Sequence, residues 1–170
     1  MDIALALSNE HTKALTLRIG KFIGKNPDRF AEIVKLMLGK DLLIAQRASW
    51  VLGTHAEKNP ALIIPHLAKL LPLLSKPVHP ALKRNIVRVL QHLEIPPKFE
   101  SAVINQCFNL ISNHDETIAV KAFSISIITN LSKKYPDLMQ ELKAWMDNHR
   151  AILSKAEIKR VEKAGLIKKQ

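Results

Sequence analysis

The sequence predicts an all-α chain, an α-solenoid of about nine helices, on three observations. Its apolar residues are dominated by Leu, Ile and Ala, with 5 Gly and 5% aromatics, a balance that favours helix over strand. No stretch alternates apolar and polar residues for long enough to form a half-buried strand. Four prolines, Pro27, Pro60, Pro97 and Pro136, each open a helical segment, and they recur at spacings of 33, 37 and 39 residues. Proline suits the first helical turn, where its missing N–H would be unpaired anyway. A period of this size means stacked helical pairs, each of which covers its apolar face only against its neighbours.

Taken in order, the expected helices lie near 10–25, 27–39, 41–58, 60–75, 79–94, 97–112, 115–134, 136–148 and 154–164. The first places Leu15, Ile19, Phe22 and Ile23 on one side at helical spacing. Asp41 and Asp115 read as N-terminal signals for the third and seventh, and Ser154 with Glu157 three residues later reads as a capping box for the last. Pro65 and Pro72 fall inside ALIIPHLAKLLPLLSK and should kink or split the fourth helix. GKFIGKNP (20–27) aligns with GTHAEKNP (53–60), and Arg47, Arg84 and Lys121 follow each other at 37-residue steps. The expected organisation is a single domain over 1–170, with repeats roughly at 9–39, 41–75, 79–112 and 115–148 and a basic cap helix at 154–164.

A chain of 170 residues is long enough for one well-buried domain. With 47% apolar and 24% charged residues it is neither disordered nor collagen-like. No run reaches the ~18 apolar residues of a membrane span. The opening MDIALALSNEH lacks the basic start and the long apolar stretch of a signal peptide, so a cytoplasmic location without a membrane partner is expected. The single cysteine, Cys107, sits in the stripe Phe99, Val103, Ile104, Cys107, Phe108, Ile111 and is expected as an inert core thiol.

These residues resemble the HEAT-repeat part of the armadillo-like superfamily. IIPHLAKLLPLL is similar to that family's proline-containing first helix, and IAQRASWVLG to its second; DETIAVKAFSI repeats the latter with Lys121 in place of Arg. In HPALKRNIVRVL the family's Asp is replaced by His79, and the first repeat has Ala14 at the basic position. The chain also resembles short bacterial HEAT-like proteins sometimes labelled adenylosuccinate lyase. Those lyases use a Ser-Ser-x-Met-Pro-x-Lys-x-Asn loop, and this sequence contains no Met-Pro pair, so the activity is not expected here.

Seven histidines are scattered without HExxH or paired spacing, and there is no GxSxG elbow or Gly-rich phosphate loop. No catalytic residue, metal or cofactor is therefore expected. A HEAT-like DNA glycosylase would need an inner-face carboxylate; Asp41, Glu57, Glu94 and Asp115 all fall at expected helix ends instead. The expected function is a non-enzymatic binding or scaffold module with a protein partner. The candidate partner surface comprises Arg18, Lys21, Lys25, Arg47, Trp50, Lys58, Arg84, Arg88 and Lys121. Of these, Arg18, Lys21 and Lys25 should share one polar helix face, and the ladder of Arg47, Arg84 and Lys121 should pair with an Asp or a carbonyl in a neighbouring turn. The alternative starts from the formal charge of +11, which attracts nucleic acid and other polyanions. Its candidate phosphate contacts are Arg150, Lys155, Lys159, Arg160 and Lys163, in a C-terminal segment that also holds Lys168 and Lys169 and that should be removable with little loss of helix.

Overall fold

The computed structural model describes residues 1–166; Lys168 and Lys169 lie outside the described residues. All regular structure among them is helical: α1 (Ile3–Asn9), α2 (Lys13–Ile23), α3 (Pro27–Met37), α4 (Leu42–Ala56), α5 (Leu67–Leu70), α6 (Pro80–Leu90), α7 (Pro97–Ser112), α8 (Ile118–Leu131), α9 (Asp137–His149) and α10 (Lys155–Lys163). None is long and apolar enough to cross a membrane. The chain divides into two compact units, 1–94 and 95–170. The expected pair 79–112 contributes α6 to the first and α7 to the second.

In the 1–94 unit, α4 packs against α1, α2, α3 and α6. A helix with so many neighbours cannot carry a single apolar stripe. Its sequence accordingly places the small residues Ala45, Ala48, Ser49, Gly53 and Ala56 among its buried positions, where they let the neighbouring helices come close. The two glycines of the internal sequence match have a shared purpose. A Cβ on Gly20 of α2 would stand 3.2 Å from the His55 ring of α4, and a Cβ on Gly53 of α4 would stand 3.0 Å from Asn85 of α6. Each marks the close approach of one helix to the next.

The start signals divide into those that hold and those that do not. Asp41 caps α4 by accepting from the Ile44 N–H at 3.0 Å, and Ser154 with Glu157 forms a complete capping box on α10. His79 substitutes for the family's Asp, its Nδ1 accepting from the Ala81 N–H at 3.2 Å. Asp115 does not cap. Its own N–H is turned back onto Asn113 Oδ1 at 3.0 Å, an Asx turn, and the helix starts three residues later at Ile118. The 60–75 segment is broken as its prolines require, into Pro60–Leu62, Ile64–His66, α5 and Leu71–Ser75, with only α5 a true α-turn. Sequence reasoning missed α1, which Asp2 caps by accepting from the Leu5 N–H; seven residues are too few to show a helical period.

In the 95–170 unit, α8 packs against α7, α9 and α10. Its hydroxyls are satisfied by its own backbone: Ser124, Ser126 and Thr129 donate to the carbonyls four residues back, at 2.8, 3.2 and 2.8 Å. Cys107 is fully buried beside this helix, and burial pushes its thiol pKa up to about 12, so the expected inert thiol is what α7 holds. α10 is a packed element rather than a detachable tail. Val161 is wholly buried, Glu157 is buried, and the Arg160 guanidinium lies 5.7 Å from the Phe123 ring centroid of α8.

Candidate interaction site

One stripe of α4, Gln46, Trp50 and Thr54, recurs at four-residue intervals and so lies along one side of the helix, with Lys58 following in the turn past Ala56. It lines two adjoining depressions in the 1–94 unit. The first, about 260 Å3, is closed on its other side by Thr16, Gly20 and Lys21 of α2. The second, about 200 Å3, is closed by Ala81, Arg84 and Asn85 of α6 and by His11. Trp50 is half-buried, with the His11 ring edge-on at 5.0 Å. It stands packed on one side and open to the second depression on the other.

The walls are fixed by buried polar contacts beneath. His55 Nε2 is 2.7 Å from the Gly24 carbonyl, a bond in which the ring nitrogen donates. Asn85 is fully buried and donates from Nδ2 to Ser49 Oγ at 3.0 Å, which ties α6 to α4 directly under Trp50. Gly24 at φ +55° turns the chain between α2 and α3, a conformation that glycine adopts without cost.

The structure sorts the candidate surface residues into distinct settings. Lys21, Trp50, Lys58 and Arg84 gather around the two depressions. Arg18 is exposed and loosely opposed to Glu10 at 4.0 Å. Lys25 does not share a helix face with Arg18 and Lys21, because α2 ends at Ile23 and Lys25 stands in the turn after Gly24. Arg47 is a brace: its Nη1 donates to the Leu7 and Ser8 carbonyls at 2.6 and 3.1 Å, holding the end of α1 against α4. That is the carbonyl pairing expected of the ladder, and among the described residues it occurs only at this rung. Arg84 is exposed, and Lys121 of the other unit lines a small cavity with Trp145 and Glu157.

Arg88 is likewise occupied, gripping Glu57 through Nε and Nη2 at 2.5 Å each. Hydrogen bonding to Arg88 holds the Glu57 carboxyl below its ordinary value near 4.5, burial opposing, and the Arg88 charge adds to the effect. A carboxylate with a depressed pKa contributes stability above its ordinary value and loses it as pH falls through the folded-state value. Glu57→Gln should therefore flatten the fall in stability of the 1–94 unit as pH drops below about 4.5. Urea midpoints measured across that range check it; an unchanged slope would mean that the pair does not couple to folding.

Of the C-terminal basic residues, Lys155, Lys159 and Lys163 are exposed at four-residue spacing on α10, Arg150 is exposed in the Arg150–Ile152 turn, and Arg160 is half-buried over Phe123. Among the described residues no group of three His, Cys, Asp or Glu side chains is placed to hold a metal ion.

The family model of a HEAT repeat domain matches residues 3–169. The chain belongs to the HEAT-repeat family. No curated protein and no solved structure matches it. Proteins of this family are generally interaction scaffolds and typically non-enzymatic. The helical pairs, the close-approach glycines and the family match make this an all-α fold of the HEAT class.

Proposed function

We propose that this HEAT-repeat protein is a non-enzymatic scaffold that holds a protein partner on the α2–α4–α6 face of its 1–94 unit. The observation that carries the reading is the α4 stripe itself, with half-buried Trp50 and Arg84 lining one depression and Lys21 and Lys58 lining the other. An aromatic that is already partly packed loses little freedom on binding and offers a large contact area, and cations around it choose partners by charge. A photo-crosslinking residue in place of Thr54 should join the chain to a discrete protein in the cells that make it. Trp50→Ala and Lys58→Glu should each reduce that product several-fold. Crosslinking to nucleic acid alone would overturn the reading.

A second reading, sequence-tolerant nucleic-acid binding, is favoured by the exposed line of Lys155, Lys159 and Lys163. Because α10 is packed, substitution rather than truncation isolates its charge. Changing all three lysines to Gln should shallow the dependence of log K on log salt by up to about 0.9 for each duplex phosphate no longer neutralised, with helicity retained. Filter binding to duplex DNA at graded salt measures this, and an absence of binding at ~50 mM salt removes the reading.

A further inference from the structure

A second surface of the 1–94 unit shares no residue with the α2–α4–α6 face. It is a groove of about 520 Å3 between the second half of α3, the start of α4 and the turn that carries His66. Its floor is apolar: Val34 is buried, Leu36 and Ile44 are half-buried, and Leu38 is 39% exposed. Leu42 and Leu43, next along the chain, are 79% and 48% exposed, so apolar surface runs on beyond the groove. His66 belongs to the same wall, its ring 5.8 Å from Phe30. Burial, and secondarily the Lys69 charge, lowers its pKa and keeps the imidazole neutral near pH 7.

The rim has the opposite character. Lys35, Lys40 and Lys69 are exposed, and none of the three is ion-paired among the described residues. The one carboxylate lining the groove, Asp41, is engaged as the cap of α4. An apolar floor under a rim of three free lysines and one capping carboxylate, net cationic, fits an occupant that is apolar on one side and anionic at its edges.

We propose that this groove docks an acidic amphipathic helix of a protein partner, its apolar face on Val34, Leu38 and Ile44 and its carboxylates on Lys35, Lys40 and Lys69. The lining positions Ala31, Val34 and Lys35 of α3 and its C-cap Leu38 follow one side over seven residue steps, roughly 10 Å at 1.5 Å per residue, which is about two turns of a docked helix. A small apolar molecule could fill the cavity but would leave the exposed leucines beside it and all three lysines without a role.

The test uses a fluorescein-labelled helical peptide of about 16 residues, with Leu at i, i+3 and i+7 and Glu on both flanks, titrated with the full chain. Anisotropy should saturate in the micromolar range at ~50 mM salt and weaken at ~300 mM. Lys35→Glu with Lys69→Glu should weaken binding by about 10-fold or more, from two charge contacts turned repulsive. Leu38→Ser should weaken it as well, while Trp50→Ala leaves it unchanged, which separates this groove from the other face. All of these positions are at least partly exposed, and circular dichroism confirms that the variants keep their helix. Amide shift changes should fall on 31–44 and 66–69. Four outcomes overturn the proposal: no saturation up to ~1 mM, equal binding of a peptide with Lys in place of Glu, indifference to the Lys35 and Lys69 reversals, or self-association of the chain that those reversals abolish.

Discussion

Gly53→Val is expected to lower the stability of the 1–94 unit by about 1–3 kcal/mol through overpacking. Helix propensity alone would reward replacement of a mid-helix glycine, by roughly 0.5–1 kcal/mol for alanine. Here the sign reverses, because the position of the new Cβ lies 3.0 Å from both Cβ and Oδ1 of Asn85. Asn85 cannot step aside cheaply: it is fully buried, and its Nδ2 is committed to Ser49. Gly53→Ala should give a smaller loss of the same sign, since the single methyl needs a shift of only a few tenths of an ångström. Urea unfolding measures both as a lower midpoint at constant slope. A Gly53→Val midpoint equal to that of the parent chain would show that α4 and α6 do not press together at this point.

The second large effect is expected at Val161. Val161→Asp places a carboxyl where a wholly buried side chain docks α10 in its unit. The basic neighbours on α10 are turned elsewhere, Arg160 over Phe123 and Lys159 and Lys163 toward solvent. Burial of an unpaired acid should cost on the order of 3 kcal/mol, by undocking the helix or by forcing the acid to take up a proton. Trp145 lies in this unit and Trp50 in the other, so fluorescence in a Trp50→Phe background follows the 95–170 unit alone. Lys159→Asp, on the exposed side of the same helix, should leave the transition nearly in place. Equal midpoints for the two variants would return α10 to the status of a loose terminus.

Much of this architecture is legible in the order of the residues. The 97–112 helix falls at α7's bounds because Pro97 fixes its first turn, and nothing after Ser112 extends the period. The box at Ser154 and Glu157 is equally plain, since both partners are local. What escaped reading was decided by contacts distant in sequence or by competing local turns. His79 caps α6 with a ring nitrogen that composition does not announce, and Asp115 loses its role to a turn nucleated by Asn113. The candidate surface suffered in a similar way. A 37-residue ladder makes Arg47, Arg84 and Lys121 look equivalent, but only Arg47 has the open end of α1 within reach. Arg88 resembles a surface cation until Glu57, 31 residues earlier, is brought to it. The groove beside α3 carried no sequence signal beyond lysines among leucines, a pattern that any solvated helix shares.

Cys107 turns the second unit into its own reporter. The chain has one thiol, fully enclosed, with a pKa raised by burial to about 12, so at neutral pH alkylating reagents have almost no thiolate to attack while the unit is closed. Modification must therefore wait for an opening event, and its rate, divided by that of an unprotected thiol, gives the fraction of time that the helices around α7 stand apart. The same labelling performed with a bound partner would show whether occupancy of the first unit quietens the breathing of the second, without any engineered probe.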